Sequence, residues 1–341
     1  MKHVKKIIAV ICLTAMMTCC FSFSASALVF MDGDFGFELN TYTKEATLVK
    51  YDGSDSTVTI PGSYSDYHVT KLGNRALSGN SVMQVLNLPT TMYKIESRAL
   101  NGCSALSAVR FPTYITSLGE EVCLNCTSLQ TAYVYASIDT LPAYSFAGCT
   151  SLTTVDLNQS IKSISAYAFQ DCISLKDLSF LTKITSIDKN AFEGTGISEL
   201  TIPESITELP DYAFANCADL TEVTILNHVT YISPTAFLND PVMIKCYYDS
   251  YAYQYAIENH IPYTLLDNVL LGDADGDGSV NVSDVTTIQR YLAELETLEG
   301  IYLHAADANQ DGTVDISDAT ALQMYIAEYD LPYPIGEVMT Q

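Results

Sequence analysis

Between residues 69 and 250 the apolar side chains return neither at every second position nor at every third or fourth, but in a compound pattern of much longer period. The stretches IDTLPAYSFAGCTSLTTVDLNQS (138–160), IKSISAYAFQDCISLKDLSFLTK (161–183) and ITELPDYAFANCADLTEVTILNH (206–228) share one frame. Units open at Val69, Met92, Ile115, Ile138, Ile161, Ile184, Ile206 and Val229, every step being 23 residues except one of 22. Each begins I/V-x-x-I/L, passes a pair such as Ala168-Phe169 or Ala213-Phe214, and closes on an alternation such as Leu152, Val155, Leu157. The alternation predicts a short strand, and a unit this small cannot bury its apolar side alone. The units must stack, each apolar residue over its counterpart, so the eight of them predict a solenoid over 69–250.

A solenoid end exposes core and unpaired strand edges unless it is covered. Residues 28–68, with short alternating segments and turn signals at Asp52-Gly53 and Pro61-Gly62, are expected to form the N-terminal cap. Residues 251–267, a short helix stopped before Pro262 and then a strand, are expected to close the other end. Outward positions of the predicted sheet include Tyr133 and Tyr135, then Thr154 and Asp156, Lys176 and Asp177, Glu199 and Thr201. The two tyrosines offer aromatic faces on which a sugar ring could stack, against the plainer alternative of a solvated sheet.

Cysteine falls at one frame position in five units, as Cys103, Cys126, Cys149, Cys172 and Cys217, with Asn80, Thr195 and Asp240 there in others. Zinc needs ligands converging on one point, whereas these recur once per coil. They are expected to act as small core side chains, as are Cys123 and Cys246, which stand at apolar frame positions.

Beyond Gly272 the frame ends and a different duplication begins. DADGDGSVNVSD (273–284) is matched 34 residues later by DANQDGTVDISD (307–318). Calcium takes six to eight oxygens, which a 12-residue loop supplies from positions one, three, five, seven, nine and twelve while glycine at six makes the turn. The first loop offers Asp273, Asp275, Asp277, the Ser279 carbonyl, Asn281 and Asp284, and the second Asp307, Asn309, Asp311, the Thr313 carbonyl, Asp315 and Asp318. Gly278 and Gly312 hold the turns, and two Ca2+ ions are expected. Aspartate at position twelve is one methylene shorter than the usual glutamate, so the local geometry must differ. Four carboxylates per loop repel one another without a cation, which makes folding of this segment calcium-dependent. A helix follows each loop, with Val285, Ile288 and Leu292, then Ala319, Leu322 and Ile326, at helical spacing.

Lys+Arg of 16 against Asp+Glu of 40 gives a net charge of −24, which works against a nucleic-acid or anionic-membrane partner. The first 27 residues, basic at Lys2, Lys5 and Lys6, apolar from Ile7 to Met17 and ending Ala25-Ser26-Ala27, read as a secretory signal. The apolar run is shorter than the roughly 20 residues of a membrane span. No membrane span is expected, and the protein should be exported. The histidines lack metal-protease spacing, and no nucleophile-elbow, Walker or dinucleotide motif is present. A glycosidase carboxylate pair among 40 acidic residues stays open.

On AYSFAGCTSLTTVDL and NAFEGTGISELTIPES the repeats resemble the BspA-like leucine-rich repeats. The resemblance implies a curved, right-handed solenoid, mainly β with short helical turns and a parallel sheet on one face. Residues 268–336, a doubled loop-then-helix, resemble a type I dockerin, a small all-α calcium-binding fold of two F-hand motifs in which aspartate at position twelve is usual. Dockerins attach modules to cohesin domains of a scaffoldin in cellulosome-like, polysaccharide-degrading complexes. The positions matching the family's cohesin contacts, at the loop ends and on the outer face of each helix, are Val282, Ser283, Gln289, Arg290 and Glu294, then Ile316, Ser317, Gln323, Met324 and Glu328. Arg290 against Met324 breaks the symmetry, so one binding orientation should be preferred if both halves can bind. The tail LPYPIGE either clasps the chain near Val269 to Leu271 or ends free, with 337–341 as the terminal residues. The expected function is that of a non-catalytic leucine-rich-repeat module docked through its dockerin. The ligand of the repeats stays open between a glycan and a host or bacterial surface protein, with a cryptic glycoside hydrolase as the remaining alternative.

Overall fold

The computed structural model describes residues 28–339, so the proposed signal segment lies outside the described residues. Each unit of the frame forms one coil. Its I/V-x-x-I/L opening makes a two-residue strand, as in Lys94–Ile95, Ser117–Leu118, Thr140–Leu141 and Ser163–Ile164. These pair in parallel with the next coil at an offset of one unit, for example Ser117 with Lys94 and Ser163 with Thr140. The closing alternation makes a longer strand, as in Ala108–Phe111, Thr131–Val134 and Thr154–Leu157, stacked in register with Thr131 between Ala108 and Thr154. The solenoid therefore has two parallel ladders where the sequence implied one sheet. Two residues are too few to show as an alternation.

Between the two strands lies a turn segment that forms no strand, yet its backbone hydrogen-bonds from coil to coil. Phe146, Phe169 and Phe192 donate their N–H groups to Ala168, Ala191 and Ala213 in the next coil at 2.8–2.9 Å. One backbone position in this segment is left-handed in every coil, occupied by Gly79, Gly102, Asn125, Gly148, Asp171, Gly194, Asn216 and Asn239 with φ between 57° and 76°. Glycine, asparagine and aspartate tolerate that conformation best, which explains this column of the repeat. At Gly148 an added Cβ would lie 2.2 Å from the Asn125 Oδ1.

The core is built of vertical columns. Phe146, Phe169, Phe192, Phe214 and Phe237 stack with ring centres 5.5–5.9 Å apart. All seven described cysteines are free and buried. The column cysteines also have a polar task. Cys103, Cys126, Cys149 and Cys172 donate Sγ–H to the carbonyls of Leu77, Leu100, Cys123 and Phe146, each at 3.1 Å. Burial pushes the Cys172 thiol far up and the Cys217 thiol up to about 11, so neither offers a thiolate for chemistry.

One coil departs from the pattern. Where 161–183 should make its long strand, Ser179–Lys183 forms a 3-10 turn and Phe180 swings inward to 5.6 Å from Phe169 and 6.2 Å from Phe192. Asp177, expected on the outer sheet with Lys176, instead accepts the Ser179 N–H at 2.8 Å. The long-strand ladder is thereby split, and its second part runs through Glu199–Thr201, Glu222–Thr224, Met243–Cys246 and Tyr263–Leu265.

Both ends are covered. Strand Phe35–Asn40 pairs antiparallel with Phe30–Asp32 and Glu45–Tyr51, and the latter joins the short-strand ladder through Tyr67–Leu72, burying Phe37, Ala46 and Leu48. At the other end helix α1, Tyr251–Glu258, starts at Ser250, whose hydroxyl accepts the Tyr253 N–H at 3.1 Å. It buries Ala252, Tyr253, Tyr255 and Ala256. Among the described residues no helix is long and apolar enough to cross a membrane.

Two predictions follow from the columns. Phe169→Ala removes a ring stacked on both sides and should destabilise the solenoid by about 3–5 kcal/mol in urea unfolding. Asp240 ends the cysteine column with Oδ1 accepting the Cys217 N–H at 2.7 Å and Oδ2 buried without a partner. Burial pushes its carboxyl up to about 7. A raised folded value means that its stabilisation is complete at acid pH and is lost as pH rises from about 4 through 7. Asp240→Asn should flatten that slope and gain on the order of 1 kcal/mol above pH 7, allowing for the group's partial exposure.

Candidate functional site

Past the solenoid the chain forms three helices, α2 Val282–Leu292, α3 Gly300–Ala306 and α4 Ile316–Ile326. The two acidic loops lead directly into α2 and α4. Both helices carry the same start: Asn281 or Asp315 caps the first turn while Asp284 or Asp318 reaches back to the cap's N–H. Position twelve of each loop is thus also the third residue of the helix, and this reciprocal capping fixes where its carboxylate points.

The loops fold around their carboxylates in matching ways. Asp273 accepts N–H bonds from Gly276 and Gly278 at 2.9 and 3.0 Å, and Asp307 from Asp311 and Gly312 at 3.0 and 2.9 Å. Asp284 accepts from Asp275 and Asn281 at 3.1 and 2.8 Å, and Asp318 from Asn309 and Asp315 at 3.1 and 2.8 Å. Each carboxylate has about four acceptor sites, so those on the inner side of the loop stay free for a cation. Gly278 and Gly312 take φ of 84° and 89° at position six, where only glycine is unstrained.

Oxygens of Asp273, Asp275 and Asp277 lie within 4.8 Å of one another, a group able to hold a metal ion. The second loop has the neutral Asn309 where the first has Asp275. Asp284 and Asp318 are fully buried, and burial pushes both carboxyls up against the pull of the backbone N–H groups that bind them. A divalent cation reverses that penalty by supplying the missing positive charge. An all-oxygen donor set of carboxylates, an amide and a backbone carbonyl fits a hard ion such as calcium.

The buried faces of α2 and α4 present Val285 and Ile288, and Ala319 and Leu322, to the core of the unit. Leu292, expected there by spacing, is 38% exposed, whereas its counterpart Ile326 packs half-buried against the core. The tail closes the unit. Leu270 and Val338 form an antiparallel bridge, Leu271 donates to the Glu337 carbonyl and Gly336 to the Leu271 carbonyl, both at 2.9 Å, and Ile335 is buried.

All ten side chains expected at the partner surface are exposed: Val282, Ser283, Gln289, Arg290 and Glu294, and Ile316, Ser317, Gln323, Met324 and Glu328. Val282 and Ile316 are each 63% exposed, which is unusual for large aliphatic residues. Glu294 and Glu328 are not on the helices as expected but just past them, in the left-handed conformation at φ 58° and 62°. Next to them Leu295 and Tyr329 are 71% and 64% exposed. Sequence reasoning missed this pair, although the 34-residue offset relates them as it relates the others. Arg290 is held by Glu296 at 2.9 Å, a contact Met324 cannot make.

On the solenoid, Tyr133 and Tyr135 lie side by side with ring centres 5.9 Å apart and planes inclined at 37°, so they do not form one flat platform.

Residues 56–153 and 139–250 match the BspA type leucine rich repeat region in six copies, covering more than half of the 341 residues. The chain belongs to the BspA type leucine rich repeat family. Residues 271–327 match the dockerin type I domain. Among solved structures the chain is similar to a leucine-rich repeat protein from Bacteroides ovatus, at 20% identity over 71% of this chain and 77% of that one with a TM-score of 0.48. It is also similar to a leucine-rich repeat protein from Eubacterium ventriosum, at 23% identity over 60% and 50% with a TM-score of 0.42. A leucine rich cell surface protein from Faecalibacterium prausnitzii shares 20% identity over 65% and 89% with a TM-score of 0.36. No curated protein matches.

If the dockerin loops take up calcium, scanning calorimetry of the whole chain should show two transitions, of which EDTA abolishes or lowers only the dockerin's. Asp273→Ala combined with Asp307→Ala should reproduce the EDTA trace in excess calcium. An EDTA trace identical to the calcium trace would remove the metal from the account.

Proposed function

We propose that this is an exported, non-catalytic leucine-rich-repeat module held in a cellulosome-like, polysaccharide-degrading complex by calcium-dependent binding of its dockerin to a scaffoldin cohesin. One Ca2+ is held by Asp273, Asp275, Asp277, the Ser279 carbonyl, Asn281 and Asp284. The second is held by Asp307, Asn309, Asp311, the Thr313 carbonyl, Asp315 and Asp318. The signal-like start of the chain supports export. The observation that carries the docking role is the exposed aliphatic pair Val282 and Ile316, equally bare at 63% and related by the same offset as the loops. Apolar side chains so placed gain by being covered, and the polar Ser283, Gln289, Ser317 and Gln323 nearby supply a rim able to hydrogen-bond a partner.

The two halves are not equivalent. Arg290 paired to Glu296 makes the first half charged and braced, while Met324 leaves the second softer and more apolar. A cohesin binding to either half should therefore prefer one orientation.

A pull-down of the full chain on a panel of purified cohesins, with calcium and with EDTA, tests the reading. Retention by at least one cohesin in calcium alone is expected. Val282→Glu or Ile316→Glu should weaken it unequally, and the double variant should abolish it, since a central apolar anchor carries about 2 kcal/mol or more. Failure to bind any cohesin would leave the docking role without support.

A further inference from the structure

One side-chain cluster on the solenoid has no counterpart in the other coils. Strands Ala108–Phe111, Thr131–Val134 and Thr154–Leu157 set Arg110, Tyr133 and Asp156 in a single cross-strand row. Tyr135 follows Tyr133 on the same side, while Ala132, Val134 and Ala136 are buried beneath. The Arg110 guanidinium lies 5.9 Å from the centre of the Tyr133 ring and 5.2 Å from that of Tyr135. The Tyr135 hydroxyl donates to Asp156 Oδ2 at 2.6 Å. In other coils the row position holds Asn87, Thr201, Thr224 and Lys245, and the Tyr135 position holds Pro89, Pro112, Asn158, Pro203, Leu226 and, in the last coil, Tyr247. The repeat frame does not require these tyrosines.

The strand then runs into a shallow groove of about 630 Å³ whose lining includes Ser137, Asp139, Asn158 and Ser160. Asn158 Nδ2 donates to the Tyr135 carbonyl at 2.8 Å, which ties the groove to the tyrosine strand. Ser137 and Ser160 spend their hydroxyl protons on the carbonyls of Thr113 and Ile138, at 2.7 and 2.8 Å. Their oxygens are left as acceptors, beside the Asp139 carboxylate. A ligand that suits this lining brings many hydroxyl donors and an apolar ring face for the tyrosines.

Charge narrows the choice. Arg110 and Asp156 balance each other and Asp139 in the groove adds a negative charge, within a chain of net charge −24. A polyanion meets an unfavourable field, and Asp156 is already engaged by Tyr135 and so offers a cation little. We propose that Arg110, Tyr133, Tyr135 and Asp156, with the adjoining groove, form a binding site for a neutral polysaccharide chain. Two rings 5.9 Å apart and mutually inclined meet successive sugar units of a twisted chain, the spacing being close to the advance of one sugar ring. The site goes beyond the docking role and does not depend on it.

Affinity electrophoresis of the full chain in calcium tests it, with gels containing hydroxyethylcellulose, arabinoxylan, mixed-linkage β-glucan or, as the anionic comparison, polygalacturonate. Retardation in at least one neutral polymer and none in polygalacturonate is expected. The variant carrying Tyr133→Thr and Tyr135→Asn introduces residues that other coils already hold at these positions, and it should bind at least tenfold more weakly with an unchanged melting temperature. Arg110→Ala, at an exposed position, gives a second measure and should weaken binding severalfold. The proposal is overturned if no neutral polymer retards the parent chain, if polygalacturonate retards it equally, or if the folded variants migrate as the parent does.

Discussion

Every coil of the solenoid is held by what lies one repeat above and below it, so a side chain is acceptable only if it fits its own counterpart. That constraint selects the columns. Phenylalanine stacks on phenylalanine, and the cysteine thiol reaches a carbonyl of the preceding coil. At the coil corners Thr153 and Thr230 give their hydroxyl protons to Gln130 and Thr207, one unit back, at 3.2 and 3.3 Å. Most polar atoms of the stack are thus paired with the neighbouring coil, Asp240 Oδ2 at its end being an exception, and the stability of such an array is a sum of nearest-neighbour terms. The Phe180 irregularity shows how much the constraint tolerates. The outer ladder breaks there, yet the turn segment stacks on without interruption, with the Asp171 N–H donating to the Glu193 carbonyl at 2.8 Å and the Asn190 N–H to the Asp211 carbonyl at 3.0 Å.

The frame was legible because each column repeats a side-chain type, and eight copies of a preference are plain even where any one copy is ambiguous. The thiols were correctly read as core, but their hydrogen bonds were not, since a donor's partner 26 residues away cannot be seen from composition. A second left-handed position in the turn was also hidden. Arg98, Glu121, Tyr144, Tyr167 and Tyr212 adopt it at φ of 55–61° although none of them favours it, because stacking dictates the backbone there and the side chains gain contacts in return. Arg98 forms a two-pronged pair with Glu121, and Tyr144 lies flat on Tyr167 at 4.5 Å. Lys176 and Asp177 were misplaced for a related reason: Phe180, a residue equally suited to a strand, was drawn into the core. In the dockerin the two loop-helix repeats were readable from the duplication, whereas the exposed Leu295 and Tyr329 lie beyond the helix ends, where periodicity gives no guidance.

The two parts of the chain solve the problem of polar groups in opposite ways. The solenoid pairs donors and acceptors coil by coil. The dockerin gathers like charges, with Asp273, Asp275 and Asp277 within 4.8 Å and Asp284 buried beside Asp275, an arrangement whose cost at neutral pH a bound cation would lower. Its tail clasp helps to hold the unit's two ends together, but a few backbone hydrogen bonds of about 1 kcal/mol each cannot offset that repulsion. If the loops take up calcium as proposed, folding of the dockerin is the step at which calcium acts, since the solenoid's columns use no metal.

The junction between the parts leaves the proposed cohesin face free. Tyr248 of the solenoid meets His304 of α3 with ring centres 5.9 Å apart, and a cavity of about 410 Å³ at the same place is lined by Tyr263 and Leu265 on one side and Asp307 and Gln310 on the other. On the dockerin side these contacts come from α3, the second loop, Leu271 and the tail at Met339. Val282 and Ile316 take no part in them and keep their 63% exposure with the solenoid present. The tyrosine cluster lies far along the solenoid in sequence, in the coils between residues 108 and 157, and shares no residue with the dockerin. Docking to one partner and binding to another are therefore not in competition for the same side chains, which is what a module that presents one surface while anchored by another requires.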